Sequence, residues 1–345
     1  MDISRTLFGT LGSGEKVWLY RLAAGDLCLT VASLGATWVS LFMPDAAGRT
    51  EDVILGYSTL DGYTHNAAFL GATIGRVANR IGDARFSIGD RQFVLFANDR
   101  RNTLHGGRRG FDRRVWAADA YADRDGVYAS FELRSPDGDE GFPGNLRAVV
   151  TYGVTRNNEV TADYFARVDA PSPVNLTNHA YFNLKGEGNE TILDHEVVIN
   201  SSRLLAVDET FVPTGEFNPV AGTPFDFRTR KSIRQDLIMA GCGYDYCYVL
   251  DGEYGVLRPA AEVYEPASGR MMRVSTTQPG VQFYTGNSLD GLAGKLGSRY
   301  DRFSGFCLET QHYPDSPNHP GFPSAIFGPG HDYHERSIFQ FEARA

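Results

Sequence analysis

Two residues stand in polar segments where acid–base chemistry is feasible: Glu309 in CLETQHYPDSPNHP (Cys307 to Pro320) and His179 in NLTNHAYFNL (Asn175 to Leu184). Reversible proton exchange needs one group that accepts a proton and another that gives one, with pKa values near neutrality or on either side of it. A carboxylate with its ordinary pKa of about 4.3 is ionised at pH 7 and accepts, whereas an imidazole near 6.5 is partly protonated and donates. Read as an extended stretch, Phe306 to Gln311 turns Cys307, Glu309 and Gln311 to one face and Leu308 to the other. The carboxylate then points away from the core-facing leucine. Each residue also has a plainer reading, the glutamate as a solvated or salt-bridged strand residue and the histidine as a structural hydrogen-bonding group.

Four further segments are dense in polar groups: GRVANR (Gly75 to Arg80), NTLHGG (Asn102 to Gly107), GYDY (Gly243 to Tyr246) and PGVQFYTGN (Pro279 to Asn287). Together the six segments supply Arg, Asn, His, Asp, Gln and Glu, the side chains that form forked hydrogen bonds to vicinal sugar hydroxyls. Asn79 and Arg80 follow a glycine-bearing turn, where the arginine either clamps hydroxyls or pairs with one of the 42 acids. His105 precedes Gly106 and Gly107, which allow close backbone approach to a ligand or serve a turn of positive φ. Asp245 and Gln282 either orient a hydroxyl or complete a turn or strand edge.

Other chemistries lack their signatures. The remaining histidines, His65, His195, His312, His319, His331 and His334, make no H-E-x-x-H motif and no compact triad, so no metal is expected. Cys242 and Cys247 are spaced C-x4-C without a second Cys or His pair of zinc-like spacing. No G-x-S-x-G elbow supports a serine nucleophile, and Ser304 lacks the strand–turn–helix setting. The glycine-rich stretch Gly9 to Lys16 has Glu15 where a phosphate loop needs lysine, and a strand pattern follows it.

Composition bounds the partners. A 42% hydrophobic and 12% aromatic chain of 345 residues fills a substantial core, which excludes a disordered protein. A formal charge of −9, with no run of Lys or Arg, disfavours nucleic acid and anionic membranes and suits a neutral ligand. Four cysteines are too few for a disulfide-dense secreted scaffold. Met1 to Leu11 has no basic start followed by an apolar stretch, and no window approaches 18 apolar residues, so the cytoplasm is the expected compartment.

The elements that must position these residues are strands. Leu27, Leu29 and Val31 alternate with polar neighbours, as do Val127, Ala129, Phe131 and Leu133. Val160, Ala162, Tyr164, Ala166 and Val168 repeat the pattern, although Phe165 breaks it and suggests a strand covered on both faces. Hairpins are expected at Phe86 to Ile88 with Gln92 to Leu95, across Gly89-Asp90, and at Ala261 to Tyr264 with Met271 to Val274. The best helical signal is the short Ser232 to Met239, with Gly241 as a stop. No Pro/Ser-rich linker or internal repeat divides the chain, so residues 1 to 345 are expected to form one domain, a large antiparallel β-sandwich with few short helices.

The six polar segments, in this order, resemble the aldose 1-epimerase (galactose mutarotase) family, and the resemblance runs from Phe8 to about Phe339. DVILGYSTLDGY (Asp52 to Tyr63), SPDGDEGFPGNL (Ser135 to Leu146) and Pro329-Gly330 also look like the family. The resemblance implies an all-β, galactose-mutarotase-like β-supersandwich with a sugar cleft on a concave sheet, and it implies no cofactor. It assigns the general base to Glu309, the general acid to His179, and substrate binding to Asn79, Arg80, His105, Asp245 and Gln282, with Tyr181 lining the site. The implied reaction is interconversion of the α and β anomers of a free aldose such as galactose or glucose, by ring opening and closure. The alternatives are a carbohydrate-binding protein without turnover and a relative acting on hexose 6-phosphates, for which no arginine cluster is visible. Glycoside hydrolysis normally pairs two carboxylates, whereas the acid here is a histidine. One departure from the family stands beside Asp245: Tyr246 occupies a position where many members have His or Asn, which bears on substrate preference.

Overall fold

The computed structural model describes residues 1–241 and 243–344. Alternation of apolar and polar residues builds its largest layer, a nine-stranded antiparallel sheet. In sheet order its strands are Ala117–Ala122, Gly126–Ser135, Leu146–Thr155, Glu159–Val168, Tyr333–Ala343, Arg270–Thr276, Arg258–Tyr264, Glu196–Ile199 and Lys231–Ser232. Val127, Ala129, Phe131 and Leu133 are buried while Arg134 is exposed, so period two places every second side chain in the core. Tyr333–Ala343, the last strand, lies at the centre of this sheet between Glu159–Val168 and Arg270–Thr276.

Two five-stranded antiparallel sheets complete the frame. One is formed by the first 52 residues, from Asp2–Thr10 through Thr50–Asp52. The other runs Pro213–Pro219, Arg203–Val207, Asp245–Val249, Gly280–Tyr284 and Cys307–Gln311. One continuous core joins the layers and draws on residues from Tyr20 to Phe341; Trp38 packs edge-on against Tyr152 and Phe339 within it.

Both expected hairpins form, Phe86 facing Phe93 and Val263 facing Met272. The outer face of Glu159–Val168 is less covered than Phe165 suggested: Arg167 is exposed, and Phe165 is half-buried beneath Arg167 and beside His334. The helix expected over Ser232 to Met239 is absent. Ser232 ends a strand, and the following residues make separate turns, with the Gln235 N–H donating to the Ser232 carbonyl and that of Leu237 to Arg234. Tertiary pairing with Glu196–Ile199 takes Lys231 and Ser232 into the sheet, and the remaining residues are too few to nucleate a helix independently. Among the described residues the one α-helix is the single turn Leu60–Thr64. Cys242 lies outside the described residues, so the C-x4-C spacing reduces to Cys247, which is buried.

Candidate active site

Cys307–Gln311 forms the edge of the second five-stranded sheet, and register decides what it presents. Glu309 lies opposite Gln282, which lies opposite Cys247; one step along, Cys307 faces Tyr284, which faces Asp245. Cross-strand partners share a face, so Asp245, Gln282, Tyr284, Cys307 and Glu309 all point the same way. Leu308 turns into the main core, as the extended reading of the segment requires. The end of this strand is tied across Phe306 to Phe182, and the Phe182 segment pairs in turn with Ile54, which brings the His179 segment alongside.

His179 follows the two-residue strand Thr177–Asn178, paired with Thr73–Ile74. Its own N–H donates to the Ala72 carbonyl, and its carbonyl accepts from Gly71. The ring lies against Tyr181, with centroids 5.1 Å apart and planes inclined by 29°, meets Tyr284 and His105 edge-on, and has Phe69 tilted beside it at 5.9 Å. Held this way, His179 Nε2 stands 3.7 Å from Glu309 Oε1. Both side chains are almost fully buried, and Glu309 Oε2 is a buried oxygen with no hydrogen-bond partner. An orphaned carboxylate oxygen at the floor of a cleft is a group waiting for a donor from outside the protein.

The third wall comes from the GRVANR and NTLHGG segments, joined by the short pairing of Arg80–Ile81 with Thr103–Leu104. Asn79 and His105 both adopt positive φ, 60° and 51°, and Phe69 opposite them does so at 57°. Left-handed backbone at three non-glycine residues around one cleft is the kind of strain that gathers at functional sites. The His105 N–H donates to the Asn79 carbonyl, and the Asn79 N–H returns to His105 Nδ1 at 3.2 Å. The glycine after His105 serves this packing rather than a ligand: a Cβ on Gly106 would come within 2.0 Å of the Gly75 carbonyl oxygen. Of the two arginines in GRVANR, Arg76 is structural, donating to the Pro143 and Gly144 carbonyls and to Ser135. Arg80 faces the cleft instead, with Nε bonded to Asp99 Oδ2 at 2.8 Å and its guanidinium over the Phe211 ring.

The resulting cleft has a volume of about 380 Å³ and is lined by Asn79, Arg80, His105, His179, Tyr181, Asp245 and Glu309, seven of the eight residues expected from the sequence. That size lies at the small end of ligand sites and suits a single small polar molecule. Gln282 lies beneath, donating to Asp245 Oδ1 at 2.6 Å, so it orients the aspartate from behind the lining. Tyr246 is turned away from the cleft and packs edge-on against Phe225. Phe69, Phe211, Tyr284, Asn287 and Ser288 also line the cleft. Tyr284 and Asn287 lie in a segment already singled out for its polarity, but Phe69 and Phe211 carry no local signal beyond being aromatic.

Electrostatics follow from burial. Desolvation, aided by the neighbouring Asp245, pushes Glu309 well above the ordinary carboxylate range, while Arg80 opposes the shift. Asp245 is raised too, chiefly by burial. Desolvation takes His179 down to about 4, and it takes His105 well below the usual imidazole value, with His179 and Arg80 adding to the effect. His105, His179 and Glu309 bring donor atoms within 4.8 Å of one another, a grouping able in principle to hold a cation. The chemistry of His105 argues otherwise. Its Nδ1 is filled by the Asn79 N–H, so the neutral ring carries its hydrogen on Nε2 and offers a donor, suited to a hydroxyl oxygen and not to a metal.

A larger groove of about 680 Å³, along Arg134, Arg147, Arg167 and Asp332, holds no such convergence; Arg147 is already paired with Glu132, and Arg167 with Asp332. The remaining histidines are apart from the cleft lining, and His195 in particular is buried with Nε2 accepting the Leu184 N–H at 2.9 Å.

Known proteins resemble this chain along nearly its full length. The family model described as aldose 1-epimerase matches residues 19–340. The galactose mutarotase of Mus musculus is 44% identical, covering 99% of this chain and 99% of its own, and the aldose 1-epimerase of Escherichia coli (strain K12) is 38% identical, covering 96% of each. The crystal structure of an aldose epimerase homologue from C. elegans superposes with a TM-score of 0.87 at 30% identity, over 95% of this chain and 99% of that one. With its strand order, its cleft and these full-length likenesses in agreement, the chain belongs to the aldose 1-epimerase family, and its fold is the galactose-mutarotase-like β-supersandwich.

Proposed function

We propose that this protein is an aldose 1-epimerase that interconverts the α and β anomers of a free aldose such as galactose or glucose, with Glu309 and His179 as its proton-transfer pair. The observation that carries the reading is their 3.7 Å separation at the floor of a monosaccharide-sized cleft. The two oxygens that must exchange protons, the anomeric hydroxyl and the ring oxygen, are bonded to the same carbon. Groups serving them must therefore stand within a few ångströms of each other, as these do.

Ring opening needs a base at the hydroxyl and an acid at the ring oxygen in the same step. Glu309 takes the hydroxyl proton while His179 Nε2 delivers one to the ring oxygen; the C1–O5 pair of electrons moves to oxygen and a C1 carbonyl forms. Rotation about C1–C2 presents the other carbonyl face. Closure returns both protons, so no cofactor is consumed. Burial favours the neutral form of each group, so the empty pair holds one shared proton. With that proton on His179, two opposite charges at this separation attract by about 4 kcal/mol at an effective dielectric of 20, and Arg80 further favours the ionised carboxylate.

Asn79, Arg80, His105 and Asp245 hold hydroxyls, Gln282 fixes Asp245, and the Tyr181 ring backs His179. Arg80 is the one Arg or Lys among the lining residues, and Asp99 already occupies its Nε, which favours an unphosphorylated sugar. The chain acts as one unit, a reading supported by a sheet whose strands run from residue 117 to 343. Polarimetry of freshly dissolved α-D-galactose and α-D-glucose tests the proposal. Relaxation faster than the buffer rate is expected, and measurable sugar binding with an unaccelerated rate overturns it in favour of a binding protein.

A further inference from the structure

A sulfur atom stands on the far side of the His179 ring. Cys307 Sγ lies 3.5 Å from Nδ1, within hydrogen-bond range for sulfur, while Nε2 faces Glu309 on the other side. Cys307 is completely buried, two residues before Glu309 on the same strand and the same face. Its surroundings hold it as a thiol, because burial and the nearby Glu309 and Asp245 carboxyls push its pKa well up. It is therefore neither a thiolate nor a nucleophile.

The direction of this contact decides which nitrogen carries the mobile proton. If the thiol donated to Nδ1, the neutral ring would bear its hydrogen on Nε2. Proton delivery from that neutral tautomer would leave an imidazolate. If Nδ1–H donates to sulfur, Nε2 is free to take the shared proton from Glu309 and pass it to the ring oxygen, leaving an ordinary neutral imidazole. We propose that Cys307 is a positioning residue that accepts the His179 Nδ1–H, confines proton exchange to Nε2 and, as a weak acceptor, keeps the imidazolium a strong acid. The proposal rests on His179 being the acid.

The residue's own carbonyl, which already accepts the Gly71 N–H, also favours a hydrogen on the ring, and sulfur is the side-chain atom within hydrogen-bond range of Nδ1. The titratable or charged groups facing the ring are Glu309 at Nε2, His105 and Tyr284 at its edges, Tyr181 against its face and Cys307 at Nδ1, with Arg80 and Asp245 beyond Glu309. Carboxylate or carbonyl partners, which stabilise an imidazolium strongly, are the common orienters of catalytic histidines. Sulfur accepts a hydrogen bond weakly, so it orients the ring without that stabilisation.

Cys307→Ser and Cys307→Ala separate these roles. The hydroxyl oxygen of serine is a stronger acceptor, so Cys307→Ser is expected to keep kcat within about threefold while moving the His179 limb of the kcat–pH profile upward by half a unit or more. Cys307→Ala removes the acceptor and is expected to lower kcat tenfold or more with KM within twofold. Nitrogen-15 shifts of the His179 ring in the wild-type protein are expected to report a protonated Nδ1, replaced by a tautomer mixture in Cys307→Ala. A wild-type ring protonated on Nε2 in its neutral form, or a folded Cys307→Ala with wild-type kcat, pH profile and ring shifts, overturns the proposal. Equal kcat losses in both variants with an unmoved pH limb assign Cys307 to packing and overturn it as well. The ring shifts are read without turnover, so failure of the epimerase reading itself would show separately, as a wild-type protein that does not accelerate relaxation.

Discussion

Glu309→Gln replaces one carboxylate oxygen by an amide group at a position that is 2% exposed, with the same shape and nearly the same volume. Loss of a positioned general base costs between 10² and 10⁴ in rate, or about 3 to 5 kcal/mol of transition-state stabilisation. The structure points to the upper part of that range. The nearest other carboxylate in the cleft, Asp245, is tied to Gln282 at 2.6 Å and sits on a different strand, so it is not free to replace the missing base. Stability should respond in the opposite sense. Burial and Asp245 both penalise the Glu309 charge, and Oε2 has no partner to lose, so the uncharged amide is expected to leave the melting temperature unchanged or slightly higher. The assay is initial-rate polarimetry on freshly dissolved α-D-galactose, corrected for the buffer rate, beside a thermal melt of the same preparation. A folded Glu309→Gln protein retaining more than about a tenth of wild-type kcat/KM would refute the assignment, because general-base removal costs at least ~10².

The pH profile and a control histidine extend the test. Below about 4, His179 and Glu309 both hold protons and no base remains; above the raised second pKa neither holds one and no acid remains. The kcat/KM profile is therefore expected to be bell-shaped, with an acid limb near 4 and an alkaline limb above the ordinary carboxylate range, and a rate that rises steadily to high pH would contradict the shared-proton pair. His195→Asn removes the acceptor of the buried Leu184 N–H and is expected to cost about 1 to 3 kcal/mol in chemical denaturation while leaving kcat/KM within twofold. A tenfold rate loss there would mean that a histidine outside the cleft takes part in the chemistry.

What the sequence by itself determined was local. Period-two alternation exposed the strands around Leu27, Val127 and Val160, and the Phe306 to Gln311 pattern set Glu309 on the face opposite Leu308, because side-chain direction in a strand is a property of the chain alone. The density of polar residues in six segments marked where chemistry was feasible, although Glu309 or His179 read singly was as consistent with a structural residue. Where alternation gave way to pairing, local reading failed: Lys231 and Ser232 joined a sheet edge, and no helix followed. Only the tertiary structure decided that residues 130 apart in sequence stand 3.7 Å apart, since that depends on Phe182 bridging Phe306 and Ile54. It also decided that Arg76 is structural and Arg80 faces the cleft, that Gln282 works from behind Asp245, and that Phe69 and Phe211 close the walls. Proton affinities were likewise beyond the sequence, because desolvation and neighbouring charge exist only once the chain has closed around the group.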